Sequence, residues 1–518
     1  MKKETENKSY SVILNKIKEY KEYIFLFIVV CALCLMVLYS SPLYKGLPDI
    51  DSSVFQVMGK GMLEDKIMYK DLFDHKGPIV YIINAIAFII SNKYGLFIME
   101  LIISYIGIIF VYKTARIVLC KKVSIFLSLF YILISFQYFY GGNFTEEYAI
   151  TFMSIAMYFI IKILHNKEIN KKLYWIIIGA TFTINLLIKP TYISIWAAFG
   201  IVQLISSIKD KKIKELIKNI GYMIIGILII SIPIILYLII NNDIKDFINA
   251  YIVMNMKYSN SSILERIKTF KELAKAYNYN IYLVIMLISN IIILFSKKLN
   301  KRTKSFITLF SILSLLLTAW APNFFNHYLI QLAPCVTLES IFLIYVIEQK
   351  IKEKEILSYK IIKELPLNFI CNCVIIFITV IAIGLSIKTK GIFSNKMKID
   401  QKIINKVSEV KNYIDKDDEI LVLGNNSYYY LLFDKQPEFK YFFQYPIIKY
   451  DEKIKEETEK YIIEKKPKVI IDEKYKNFAT FENETFEQVN GKRIVEEIEK
   501  NYEEHDIGII KYYVLKGE

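Results

Sequence analysis

A series of long apolar runs limits this chain more than any other feature. The first, YIFLFIVVCALCLMVLYSS from Tyr23, is long enough at 1.5 Å rise per residue to cross a hydrocarbon layer about 30 Å thick, and about ten more follow. A chain of 518 residues that is 54% hydrophobic, with a mean hydropathy of +0.35, is too apolar for one soluble core. The runs therefore predict an α-helical polytopic membrane protein of about 11–13 transmembrane helices. The first run exceeds the h-region of a signal peptide and is followed by no small-x-small cleavage site, so it is expected to stay as an anchor. A net charge of +15 could suggest nucleic acid, but the lysines cluster in short segments between apolar runs, and no nucleic-acid-binding motif accompanies them. Of the six cysteines, Cys31-x-x-Cys34 lies inside a span, and Cys120, Cys371 and Cys373 lie in or beside spans; all five read as packing residues rather than metal or redox pairs.

Charge orients the spans. Lys2, Lys3, Lys8, Lys16, Lys18 and Lys21 place residues 1–22 in the cytoplasm. Basic clusters at 113–122, 162–172, 209–218, 297–304 and 350–363 share that side. The less basic turns GGNFTEE, KPT, 241–280 and APNFFNH are then outside. Residues 78–91 form a run of only about fourteen, short for a span, and its crossing would invert every later cluster. It reads as an interfacial or re-entrant helix, leaving about eleven crossings and an outer loop at 41–77. In that loop Ser52 or Ser53 is expected to cap a short surface helix carrying Val54, Val57, Met58, Met62 and Leu63. The transmembrane part spans 23–388, and 389–518 changes to a soluble pattern. EILVLG and KVIID read as buried strands, with helices at 399–414 and 453–464, so a small extracytoplasmic α/β domain is predicted.

An ionised group in hydrocarbon costs at least about 2.5 to 3.5 kcal/mol, so charged residues at the outer ends of spans are the informative ones. Asp49 and Asp51, two apart, would share one side of an extended segment, able to bind a cation together or to supply a general base. Asp74, His75 and Lys76 precede Gly77-Pro78, where the lysine could meet a lipid phosphate or simply snorkel. Glu146 and Glu147 open a span, where capping accounts for one acid but not two. Lys189-Pro190 puts a cation between two apolar runs with almost no loop. Glu100 lies in the first turns of its span, with a salt bridge as its ordinary explanation. His327 and Tyr328 open another span, and Gln331 is expected one turn along the same face.

The loop PDIDSSVFQVMGKGMLEDKIMYKDLFDHKGPIVY resembles the first outer loop of GT-C superfamily membrane glycosyltransferases. It is most similar to bacterial family 39 proteins related to protein O-mannosyltransferases and lipid A aminoarabinose transferases. NFTEEYA, LLIKPTY and FFNHYLIQLAP resemble later motifs in the same order, over about residues 20–345. The resemblance implies a GT-C fold and a transferase moving a sugar from a polyprenyl-phosphate carrier in the membrane to an extracytoplasmic glycan, protein or lipid acceptor, with inversion. It implies Asp51 as base, Asp49 as its assistant or an acceptor contact, Lys76 and Lys189 on the carrier phosphate, and Glu146, Glu147, His75, His327 and Tyr328 orienting acceptor or metal. The chain has Asp51-Ser52 where those relatives have an Asp-Glu pair. A divalent cation (Mg or Mn) held by Asp49, Asp51 and Glu146 is the one cofactor the pattern admits. A lipid-linked saccharide flippase would also use outward lysines, but would need no loop base. A scaffold for envelope assembly would need neither.

Overall fold

The computed structural model describes residues 2–139, 141–165, 171–259, 262–279, 281–320, 325–353, 384, 390–445, 447–473, 485–508 and 510–517. Cys371, Cys373 and the last apolar run lie outside the described residues. Among those described, five helical segments are long and apolar enough to cross a membrane. They are the Tyr20–Val37 part of α1 (Lys2–Val37), α4 (Gly95–Ala115), α6 (Thr145–His165), α9 (Ile213–Ile240) and the segment Asn326–Lys350. Shorter helices pack among them, including α5 (Lys121–Gln137), α7 (Lys171–Leu186) and α8 (Ser194–Lys209). Along α9, Ile225, Leu228, Ile229, Ile232, Leu236 and Ile239 remain exposed, an apolar stripe suited to lipid rather than water. On its other side Gly226 meets the carbonyl of Ile176, and Gly179 of α7 meets that of Met223, so the two helices approach as closely as their backbones allow.

Tip contacts define two faces. Tyr112, near the end of α4, packs edge-on against Tyr23 at 5.5 Å, and the Tyr105 hydroxyl donates to the Tyr23 carbonyl at 3.1 Å. At the other tip Ser40, just past α1, donates to Glu100 in the second turn of α4. The two helices are thus antiparallel. Between them α3 (Pro78–Ile90) begins against Leu187 and Ile188, which follow α7, and ends at Ser91 in the same cavity wall as Tyr39 and Lys45. Both its ends lie on the face where α1 ends, so α3 runs along that face. Residues 241–280 are not the open turn expected: helices cover Ile244–Ser259, with a π-helical stretch at Ile248–Val253, and Ile263–Tyr279.

The surface helix α2 (Ile50–Gly61) starts earlier than the expected serine cap. Asp49 is the N-cap residue and Asp51 sits in the first turn. Ser53 lies inside the helix, its hydroxyl donating back to the Ile50 carbonyl at 2.6 Å. Ser52 and Ser53 are buried, whereas Leu63 is past the helix end and exposed. A serine wholly buried in the first turn cannot serve as the flanking cap.

After residue 390 the chain builds a four-stranded sheet of order β1-β2-β4-β3: β1 (Ile420–Leu423), β2 (Val469–Asp472), β3 (Tyr502–Asp506) and β4 (Lys511–Leu515). The β1–β2 pair is parallel and the other two pairs are antiparallel. Both expected strands are present, with helices at Asn395–Val407 and Glu452–Lys465. The core of this domain continues into the first loop. Val54, Phe55, Met58, Tyr69 and Phe73 pack in one buried cluster with Leu421, Tyr429 and Phe442. Around the joint, Lys60 pairs with Asp434 at 2.6 Å, Lys66 with Glu438 at 2.7 Å, Lys440 with Asp246 at 2.6 Å and Lys257 with Asp451 at 2.9 Å. Such exposed pairs contribute little each, about 0 to 1 kcal/mol, so the shared apolar core holds the roof down and the pairs set its register.

Candidate active site

Two lysines distant in sequence are joined by one glycine. The amide of Gly77 donates to the Ile188 carbonyl at 3.1 Å, and an added Cβ would collide with the carbonyl of Leu187. Only glycine permits this approach, which brings the backbone after Lys76 against the backbone before Lys189, and the charge of Lys76 acts on Lys189. Lys189 lies 3.5 Å from Glu146 Oε1, and its ammonium sits 4.1 Å above the Tyr328 ring. One long ion pair leaves the ammonium with unused donors.

Glu146 is held from the other side. The Tyr192 hydroxyl donates to its Oε1, and Thr145 Oγ1 donates to its Oε2 at 2.9 Å. Glu147 turns away, accepting from the Asn143 amide at 2.8 Å. Adjacent residues on a helix point about 100° apart, so the paired glutamates serve two clusters. Glu100 belongs with Glu147: its Oε1 accepts from the same Asn143 amide at 2.5 Å.

Asp49 and Asp51 also diverge, contrary to the extended-segment reading. At a helix start, residues two apart do not share a face. Asp49 acts electrostatically on Tyr39 and Tyr44 and feels Lys396 of the C-terminal domain. Burial, then the Asp51 charge, pushes it up to about 7. The charge of Asp51 acts on His75, Lys189 and His327, and on Asp49 as well. Among the described residues no three His, Cys, Asp or Glu side chains form a group able to hold a metal ion. With Asp49 turned away and Glu146 engaged by a lysine, the expected triad does not fit a divalent ion, and no step is assigned to one.

Lys76 Nζ lies 2.7 Å from His75 Nε2. An ammonium only donates, so Nε2 accepts and the ring proton sits on Nδ1, which is 3.3 Å from Asp74 Oδ1. Burial, followed by the Lys76 charge, lowers His75 and keeps it neutral. Burial alone would raise Asp74, but His75, Lys76 and the Tyr81 hydroxyl at 2.8 Å outweigh it and hold the carboxyl at about 2. Because its folded value lies below its unfolded one, Asp74 contributes stability that is fully present above about pH 4 and is lost as pH falls toward 2. Asp74→Asn is expected to lower the thermal midpoint at pH 7 and to flatten its decline between pH 4 and 2. An unchanged acid limb in a melting series would refute this role.

His327 is stacked between Phe144 at 5.1 Å and Phe325 at 5.6 Å, and Tyr328 meets it edge-on at 4.8 Å. Gln331 does not share its face. The segment Asn326–Leu332 is a 3-10 helix, in which the residue eclipsing His327 is Ile330. Three participants were not singled out from sequence: Tyr192, which holds Glu146; Tyr81, which holds Asp74; and Asn143. The last adopts a positive φ of 57° after two glycines, a signal present in GGNF.

This geometry is a polar cluster at one end of a helical bundle, covered by the domain that carries the four-stranded sheet. Of solved structures, ArnT from Cupriavidus metallidurans bound to undecaprenyl phosphate is similar at a TM-score of 0.60, with 9% identity over 95% of this chain and 97% of that one. The apo state of the same protein is similar at 0.53, with 10% identity over 90% and 95%. Archaeal oligosaccharyltransferase AglB from Archaeoglobus fulgidus, in complex with an inhibitory peptide and a dolichol-phosphate, scores 0.48, with 11% identity over 96% and 75%. The architecture is therefore the GT-C fold of polytopic membrane proteins. No curated protein matches the chain. Residues 11–404 match the family described as putative competence-induced protein Ccs4 N-terminal domain, and the chain belongs to that family.

Proposed function

We propose that the chain is a membrane glycosyltransferase that takes a sugar from a polyprenyl-phosphate donor and joins it to an acceptor hydroxyl outside the cytoplasm. The pairing of Lys76 with Lys189 through Gly77 carries this reading. Two cations whose charges act on each other, with the charge of Asp51 acting on the same group, suit a lipid phosphate that must leave as an anion. Asp51 would remove the acceptor proton as the acceptor oxygen attacks the anomeric carbon. The bond from that carbon to the phosphate oxygen breaks, and the lysines receive the polyprenyl phosphate. Backside displacement inverts the anomeric centre. Glu146, with Tyr192 behind it, would hold Lys189 in place between turnovers. Glu147 would act through Asn143 on the loop, and His75 would aim Lys76. His327 and Tyr328 would wall the donor sugar. The roof formed by the first loop and the C-terminal domain would limit water, which otherwise competes as acceptor. The site face is then extracytoplasmic, with the N-terminus cytoplasmic and the C-terminal domain outside. The fold of an undecaprenyl-phosphate-bound protein supports the donor class.

The test is binding of undecaprenyl phosphate to the full chain in nanodiscs. Lys76→Met is expected to weaken it about 10- to 100-fold, the worth of one charge-assisted hydrogen bond. Equal binding by the wild type and the variant would remove Lys76 from the donor site.

A further inference from the structure

Against α2 lies a cavity of about 400 Å³, within the range of small-ligand sites, whose lining includes neither Lys76 nor Lys189. We propose that it is the acceptor subsite and that it takes an uncharged, hydroxyl-rich group, a sugar residue of a glycan or glycolipid. The inference rests on the transferase reading and adds the acceptor's chemistry to it.

Ser52, Gln56, Asn84, Glu100 and Asn143 supply its polar lining. They form one network. Asn143 Nδ2 donates to Ser52 Oγ at 2.9 Å and to Asn84 Oδ1 at 3.0 Å, and Gln56 Nε2 donates to Ser52 Oγ at 3.1 Å. Amides and hydroxyls both donate and accept, as ring hydroxyls require. Tyr44, Tyr94 and Tyr428 add aromatic surface, which suits the apolar faces of a sugar ring. The charges argue against an anion. Glu100 is fully buried at the lining, while Lys45 and Lys93 are exposed at the rim. A phosphate entering here would find no buried cation in the lining to answer its charge. Neither Lys76 nor Lys189, the lysines that suit a phosphate, lines this cavity, so the proposed donor cations and the acceptor subsite are separate.

Asp51 is not part of the lining, but the cavity borders the helix start that carries it. Ser52 directly follows Asp51, so a hydroxyl bound at Ser52 lies one residue along the helix from the proposed proton acceptor. Leu431 and Leu432 close it from above, which makes the docked C-terminal domain part of the acceptor site.

Saturation-transfer NMR on the full chain in nanodiscs tests this, with methyl α-glucopyranoside and glucose 6-phosphate as probes. Ala87→Trp fills the cavity from α3 and Leu432→Trp fills it from the roof, and undecaprenyl-phosphate binding checks that each variant is folded. The expected result is binding of the neutral glycoside by the wild type and an affinity loss of at least about tenfold in both variants, with undecaprenyl-phosphate binding retained. Preference for the phosphorylated sugar, glycoside binding undiminished in both filled variants, or none in the wild type would each overturn the proposal. Glycoside binding as expected, in a wild type that transfers no sugar from any polyprenyl-phosphate donor, would instead overturn the transferase reading and with it the acceptor role.

Discussion

Asp51→Asn is expected to lower sugar transfer by about 10²- to 10⁴-fold, the usual contribution of a positioned general base, while undecaprenyl-phosphate binding stays at the wild-type level. The asparagine keeps the size and the first-turn position and removes only the proton-accepting charge. Asp49→Asn is the matched control. Asp49 is the N-cap, two helical steps from Asp51, and at pH 7 it is already partly protonated because burial and Asp51 raise it to about 7. Its loss should therefore affect transfer far less. Transfer by Asp51→Asn at the wild-type rate would refute the proposed base, and an equal loss in both variants would point to a shared structural role.

Lys189→Met is expected to fail twice. It removes a proposed donor contact, and it leaves Glu146, which is 2% exposed, as a buried charge without its cation. Breaking one side of a buried pair costs about 3 to 5 kcal/mol, so the variant should melt lower as well as bind undecaprenyl phosphate more weakly. Lys189→Met with Glu146→Gln separates the two effects. Tyr192 and Thr145 can still hydrogen-bond the amide, so stability should return. Donor binding should not return, because the cation is still missing. A thermal melt and a lipid-binding measurement on the two variants decide the matter. Recovery of binding in the double variant would show that Lys189 is only a structural partner.

Much of this site was legible in sequence because its residues announce themselves through cost. Lys189 and Glu146 are charges at the ends of apolar runs, and Asp74-His75-Lys76 precedes a Gly-Pro helix start. What sequence spacing could not supply is direction. Asp49 and Asp51 appear to match in an extended chain but part company when a helix begins at Ile50. Glu146 and Glu147 look interchangeable, yet one helical step sends them to Lys189 and to Asn143. Gln331 left the face of His327 because the segment winds as a 3-10 helix. Asn143 drew no notice as a lone amide, since its importance is the number of distant partners it meets.

The sequence by itself determined the apolar helices and the strands of the C-terminal sheet, though not the helices within residues 241–280. Apolar length and period are local properties, and EILVLG and KVIID carried their strand character within a few residues. Tertiary structure decided which charges meet. Lys76 and Lys189 come together only because Gly77 lets one backbone touch another, and the first loop becomes half of the roof's core only when Phe55 and Phe73 find Leu421 and Phe442. Those contacts join residues more than a hundred positions apart, and no local pattern encodes them.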